Sequence, residues 1–331
     1  MINFKRISAL ILALIMLASF ASCGKGDNTA TTVPATMVIE GETVPPMDIP
    51  DIDRGEEKIN VAVADEYANI PFFTLATDRS YAYNIVMDGV TSASAAEKLK
   101  NGEADVAVVS LEDASKLTAD ANFRVLAVNS MVKVSIVENG DTIKNIDGLK
   151  GKTIYCGVED EASQAVTKAI FADNDMSVDL IFASVAEVEE KMKNEEITVC
   201  IFSEPDATRI AAENETFAKR ADLTAGWKKD FTPVQSCIVV NAAYAQANPD
   251  KINEFIDHTE MAVNYVIGES GVGAVALQLA ENGDVAEAEL IRDMINADGL
   301  VYIDGEEMQT QVNAYCDFLA KKGVEITAPQ F

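Results

Sequence analysis

The chain has 331 residues, with one histidine, one tryptophan, and 26 lysines and arginines against 54 acids. Each scarcity excludes a class of function. Scattered cations cannot make the clustered phosphate contacts of a nucleic-acid binder. They also rule out electrostatic adhesion to an anionic membrane. His258 stands off the apolar stripe of a predicted helix over Pro249–Ile267, so it is expected to face solvent. That leaves no Ser–His or Cys–His pair to activate a nucleophile. No Walker A sequence is present. Gly268, Gly271 and Gly273 follow a helix rather than a strand, which fits a helix-to-helix turn and not a nucleotide loop. Cys156, Cys200, Cys237 and Cys316 show neither CxxC pairing nor zinc-ligand spacing. The first three sit in apolar strand-like runs, so buried thiols are expected. Spacing alone assigns no disulfide. Neither catalytic residue, metal nor cofactor is expected.

What is present begins at the N-terminus. Lys5 and Arg6 precede the apolar run Ile7–Leu17, which closes on small residues before Cys23. This is the order of a secretory signal, and the run is too short for a membrane span. Phe20-Ala21-Ser22-Cys23 resembles a bacterial lipobox, with Phe20 in place of the usual Leu. Residues 1–22 are read as a lipoprotein signal and Cys23 as the lipid attachment site. The alternative is an ordinary signal cut near Ala21. Acyl chains contribute about 0.8 kcal/mol per buried CH₂, so several on one cysteine anchor stably. The expected location is extracytoplasmic, lipid-anchored to the bacterial cell membrane. Without residues 1–22 the chain keeps 24 basic and 54 acidic residues, a formal charge of −30. Such a surface keeps a secreted protein soluble.

Residues 23–57 carry four of the nine prolines and no hydrophobic periodicity. They are read as a disordered tether. From Lys58 onward, short apolar runs alternate with amphipathic helices. Ile59–Ala64, Asp105–Val109, Phe123–Asn129, Val132–Glu138, Thr153–Cys156, Asp179–Ala183, Thr198–Phe202 and Ser236–Asn241 read as strands. Ala93–Lys100, Ala162–Asp173, Val185–Asn194 and Ala207–Asn214 read as helices. This alternation predicts an α/β fold with mixed, mostly parallel sheets flanked by helices. After Asn241 the pattern is almost wholly helical. Polar turns follow the strands at Asp65–Asn69, Ser110–Asp113, Asn129–Ser130, Gly157–Ser163 and Ser203–Asp206. Ligands of open α/β sheets bind beyond the carboxyl ends of strands. Each turn taken singly is better explained as a helix cap. Taken together they nominate Tyr67, Asn69, Ser110, Glu112, Asn129, Glu159, Ser163 and Glu204 as ligand-binding residues.

Several stretches resemble one family. They are Leu99-Lys-Asn-Gly-Glu-Ala-Asp-Val-Ala-Val-Val109, Ile146-Asp-Gly-Leu-Lys-Gly-Lys-Thr-Ile-Tyr155, Ser203-Glu204-Pro205, Leu223–Trp227, Asn248–Phe255 and Gly299–Met308. In this order, across residues 58–322, the chain resembles the substrate-binding proteins of ABC importers. The type is the one that includes nitrate, sulfonate, taurine and thiamine-precursor binders. The resemblance implies a two-lobe, type II periplasmic-binding-protein-like fold with a hinge crossed twice. The crossings are placed near Glu138–Asp147 and Gln235–Val240, giving lobe I as 58–140 with 239–331 and lobe II as 141–238. Thr232 and Gln235, beside the second crossing, join the candidate ligand contacts. The implied function is capture of a small molecule by a monomer and delivery to an ABC permease and ATPase complex. A sensory or scaffold lipoprotein, or an enzyme on the same fold, is the alternative. Relatives often have glycine-rich turns where this chain has Asp65, Glu66, Glu159, Asp160 and Glu161. Acids there argue against an anionic ligand. A neutral or cationic nitrogenous ligand is expected, accepted by Glu112, Glu159 and Glu204, with Tyr67 and Phe72 against its ring.

Overall fold

A computed structural model describes residues 58–64, 69–78, 81–280 and 284–331. The signal, Cys23, the tether and Tyr67 lie outside the described residues. Two sheets organise the rest. The first has six strands in the order β11-β4-β10-β3-β1-β2, and the second five in the order β7-β6-β8-β5-β9. The strands of the first are β1 (Ile59–Val63), β2 (Tyr83–Val86), β3 (Val106–Ser110), β4 (Phe123–Met131), β10 (Val234–Asn241) and β11 (Leu300–Asp304). Those of the second are β5 (Val134–Asn139), β6 (Thr153–Gly157), β7 (Asp179–Phe182), β8 (Val199–Ser203) and β9 (Phe217–Asp222).

Several helices begin where a side chain supplies a cap. Thr91 accepts from Ser94 N ahead of α2 (Ser92–Lys100), which follows α1 (Ile70–Thr77). Ser110, Asp160 and Ser184 likewise cap α3 (Leu111–Thr118), α4 (Glu161–Asp173) and α5 (Val185–Lys193). Each cap satisfies an amide that has no partner within the helix. The remaining helices are α6 (Asp206–Glu213), α7 (Ala242–Ala247), α8 (Pro249–Ile267), α9 (Glu269–Leu279), α10 (Val285–Ala297) and α11 (Gly305–Lys321). No helix among the described residues is long and apolar enough to cross a membrane.

One apolar cluster runs beneath both sheets. It joins Val109, Val125 and Val239 of the first to Ile136, Ile154 and Ile201 of the second. A second cluster packs the opposite face of the first sheet against α1 and α8–α10, and a third packs the second sheet against α5 and α6. The alternating reading and the helical C-terminal region are present as expected, with three strands unforeseen: Tyr83–Val86, Phe217–Asp222 and Leu300–Asp304. Leu300–Asp304 adds an antiparallel edge to the first sheet beside β4.

The crossings lie elsewhere than the sequence placed them. Val134–Asn139 was assigned to lobe I, yet β5 pairs with β8 and β9 inside the second sheet. Glu138 is therefore inside lobe II and not at a crossing. Val234–Ile238 was assigned to lobe II, but β10 pairs with β3 and β4 in the first sheet. Both runs are buried along nearly their whole length, and such runs fit any central strand.

Candidate functional site

At the carboxyl end of β3 the first sheet carries a polar row in an otherwise apolar layer. Ser236 on β10 stands opposite Ser110 of β3 on one side and Ser130 of β4 on the other. Ser130 and Ser236 share a hydrogen bond of 2.6 Å, and Ser236 Oγ donates to Asn129 Oδ1 at 2.9 Å. Asn129 is fully buried, and its Nδ2 has no partner among the described residues. Beside the row, Ser92 Oγ accepts from Ser110 N at 2.9 Å and donates to Asp113 Oδ2 at 2.5 Å. Buried polar groups are costly unless bonded. This end of the sheet therefore spends most of its polar capacity internally and leaves one amide donor over.

The carboxyl end of β8 in the second sheet is built around Glu204. Its side chain is 3 % exposed. Oε1 accepts from Ser135 Oγ at 2.5 Å and Lys219 Nζ at 3.2 Å. Oε2 accepts from Thr208 N at 3.1 Å and Thr208 Oγ1 at 2.8 Å. All four contacts come from this lobe, so Glu204 organises the strand end. The neighbouring Ser203 Oγ is buried without a partner among the described residues. At the start of α4, Asp160 Oδ1 accepts from Ser163 N at 2.7 Å. Ser163 Oγ lies 3.4 Å from Gln235 Oε1, reaching from the second sheet's helix to β10 of the first. Thr232 N donates to Gln311 Oε1 at 2.6 Å, joining the second crossing to α11.

The nominated residues thus separate. Ser110, Asn129, Ser163, Glu204, Thr232 and Gln235 lie along the strand ends and crossings. Asn69 caps α1, beside a turn outside the described residues. Glu112 does not join them: its exposed carboxylate pairs with Lys116 Nζ at 2.7 Å, one turn along α3. Glu159 is exposed and accepts from Val185 N at 3.0 Å, tying down the start of α5. Both follow the helix-cap logic that better explained each turn taken singly. Phe72 is fully buried in the core of the first lobe and is no ring-stacking partner. His258 is not solvent-facing either. Tyr83 OH lies 2.6 Å from its Nδ1, and the Tyr81 ring centroid is 4.2 Å from its own. This cluster sits where β2 begins, at the opposite end of the sheet from the serine row.

Three groups escaped the sequence reading. Tyr315 on α11 is fully buried with its hydroxyl unpartnered among the described residues. Burial, then the Asp160 carboxylate, pushes its phenol well up. Asp298, just after α10, is half-buried; desolvation and then Glu204 push its carboxyl up to about 8. Lys133, the one charged residue in the first crossing, pairs with Asp222 at 2.7 Å. Only Lys133 had a sequence signal, as a lone charge between apolar strands. Among the described residues, no three or more His, Cys, Asp or Glu are placed to hold a metal ion. The four described cysteines are buried and free, and burial raises all four thiols. Such thiols are inert.

This architecture recurs in solved structures. An ABC transporter protein from Parabacteroides distasonis is 15% identical over 83% of this chain and 97% of its own, with a TM-score of 0.64. A putative periplasmic sulfonate-binding protein SsuA from Methylobacillus flagellatus KT is 11% identical, with 82% and 90% covered and a TM-score of 0.60. The periplasmic aliphatic sulphonate binding protein SsuA from Escherichia coli is 14% identical, with 83% and 95% covered and a TM-score of 0.58. At these identities the likeness establishes the periplasmic-binding-protein-like fold. No curated protein sequence matches. Residues 84–270, more than half of the chain, match the NMT1/THI5-like family, and the chain belongs to it.

Proposed function

We propose that this chain is an extracytoplasmic substrate-binding protein, tethered through Cys23, that captures a small molecule between its lobes and passes it to an ABC importer. The lobes are residues 58–131 with 234–331, and residues 134–222. It acts as a single copy and catalyses no reaction. The observation that supports this reading is a pair of polar strand ends, the Ser110–Ser236–Ser130 row of the first sheet and the Glu204 cluster of the second, in two sheets joined by two chain crossings. The unbonded Asn129 Nδ2 gives the row a donor for a ligand acceptor. The lone histidine is at the far end of the first sheet, so no nucleophile–base pair forms at the row.

The ligand carries no net negative charge. The helix starts beside the strand ends already hold their own acids: Asp113 at α3 and Asp160 at α4. Lys133 and Lys219 are bound to Asp222 and Glu204. An entering anion would meet like charges in a medium less screening than water. This departs from the sulfonates named for two of the structural neighbours.

The test is a thermal-shift and fluorescence panel of sulfonates, nitrate and carboxylates against amines, polyamines and pyrimidines. Trp227, the only tryptophan, lies in the second crossing and reports lobe movement. A binder at 100-fold its Kd stabilises by about 2.7 kcal/mol. The expected outcome is a shift with amines or pyrimidines, accompanied by altered Trp227 emission. Stabilisation by anions alone would overturn the ligand class. Silence of the whole panel would count against the receptor.

A further inference from the structure

We propose that Asn129 selects an uncharged ligand that presents a hydrogen-bond acceptor, of the carboxamide or lactam type, in preference to cationic amines and to anions. The proposal rests on the two-lobe receptor reading and narrows the ligand class given there. Ser236 Oγ donates to Asn129 Oδ1 at 2.9 Å. A hydroxyl carries one proton, so the 2.6 Å contact between Ser130 and Ser236 is made with the proton of Ser130. The row therefore runs in one direction, from Ser130 through Ser236 to the Asn129 carbonyl, and each bond polarises the next. It ends on Asn129 Nδ2, an amino group that can only donate and has no partner among the described residues. Asn129 is fully buried, so an unmade bond there is costly. A ligand acceptor removes that cost. An ammonium group, which carries donors alone, leaves it in place.

The position suits a ligand shared by the two lobes. Asn129 stands two residues before Met131, where β4 ends and the chain crosses to the second lobe. On the far side of that crossing, Ser203 of β8 lies opposite Val134, the first residue of β5. Its Oγ is also buried without a partner among the described residues. A hydroxyl donates or accepts, so it can meet either the carbonyl or the N–H of an amide. Each lobe thus leaves an uncharged polar group unspent beside the first crossing.

Charged side chains near these strand ends are engaged already. Asp113 accepts from Ser92 Oγ at 2.5 Å, and Asp160 from Ser163 N at 2.7 Å. Lys133 pairs with Asp222, and Lys219 with Glu204. Glu112 is exposed and pairs with Lys116. A charged ligand that drew on one of these groups would strip it of its present partner, which is costly away from water. A neutral ligand displaces none of them.

The experiment measures Kd by titration calorimetry at neutral pH for two matched sets of probes. One is benzamide, benzylamine and benzoate; the other is isobutyramide, isobutylamine and isobutyrate. Within a set the hydrocarbon part is constant. The wild type should bind an amide at least about tenfold more tightly than its amine or its carboxylate. Asn129→Asp keeps an acceptor for Ser236 and loses the donor, so its preference should move from the amide to the amine. Asn129→Leu, similar in size, should lose amide binding by about tenfold or more without gaining the amine. Thermal melts without ligand check that each variant is folded, and the wild-type ranking decides the matter if neither is. An asparagine that serves structure alone would weaken every member of a set alike, and that result would overturn the proposal. A wild type that prefers the amine or the carboxylate would overturn it too and leave the receptor reading standing. Silence of both sets also overturns it, and the receptor reading falls with it only if the wider panel is silent as well.

Discussion

The two chain crossings between the sheets are built on different principles. The first is almost no connection at all. Strand β4 ends at Met131 and β5 starts at Val134, with Val132 and Lys133 between. It is secured through its own main-chain amides: Val132 N donates to Pro233 O at 2.7 Å, and Val134 N to the Thr224 side chain at Oγ1, 2.9 Å. The second runs from Leu223 to Pro233 and carries its own small core. Trp227 packs edge-on against Phe318 with centroids 5.3 Å apart, and Phe231 lies 6.3 Å from Tyr315. Trp227 Nε1 donates to Phe231 O at 2.8 Å, which closes the turn. A strand that passes straight through can bend only at its few free dihedrals. A loop wedged by aromatics moves only if α11 moves with it. If the lobes move, the contrast predicts that the first crossing bends and the second resists.

The largest effect is expected where that resistance is packed. Tyr315→Ala removes a fully buried ring from the aromatic cluster. It should cost about 3–5 kcal/mol in urea unfolding. Tyr315→Phe keeps the ring and deletes a hydroxyl that has no partner among the described residues. It should be neutral or stabilising. A loss above about 1 kcal/mol from the phenylalanine variant would show that the hydroxyl is bonded, and that the second crossing is held by polarity as well as packing.

An intermediate effect is expected at the first crossing. Gly299 has φ +68°, and a Cβ there would stand 2.5 Å from Met131 O and 2.7 Å from Lys133 Cγ. Glycine permits both the left-handed conformation and the close approach of β11 to the crossing strand. Gly299→Ala should destabilise by about 1–3 kcal/mol. It should also alter the Trp227 response, because β11 can no longer lie against the bending strand. A variant as stable as the wild type, with an unchanged response, would show that β11 does not pin this crossing.

Most of the layer pattern was legible in the sequence, because each apolar run between caps is a strand or a helix whatever its neighbours. Which sheet a strand joins was not legible. Val132–Glu138 and Ser236–Asn241 are mostly apolar, and local periodicity is silent about pairing partners. Leu300–Asp304 was hidden among helices because a strand of five residues against one neighbour needs little pattern. At the site, Ser110, Asn129, Ser163 and Glu204 were legible as strand-end polar residues. Glu112 and Glu159 satisfy the same rule through capping and surface pairing, and only coordinates separate the two cases. Asp298 and Tyr315 come from the helical C-terminal region, where no strand-end rule applies.

The smallest effect is expected from the one ion pair at the first crossing. Lys133 and Asp222 are 2.7 Å apart, with side chains 26% and 41% exposed. Partly exposed pairs gain little Coulomb energy against solvation and lose side-chain entropy, so their worth is about 0.2–1 kcal/mol. The crossing is already fixed by Val132 N, Val134 N and the Lys133 carbonyl, none of which depends on the lysine side chain. Lys133→Met should therefore lower stability by less than about 1 kcal/mol, and the difference should shrink at 1 M salt, where screening acts over about 3 Å. Asp222 Oδ1 keeps its bond from Thr224 N at 2.8 Å in either case. A cost above about 2 kcal/mol that persists in salt would mean that the ion pair, not the main chain, holds the first crossing. The contrast between a backbone-held and a side-chain-held crossing would then fall.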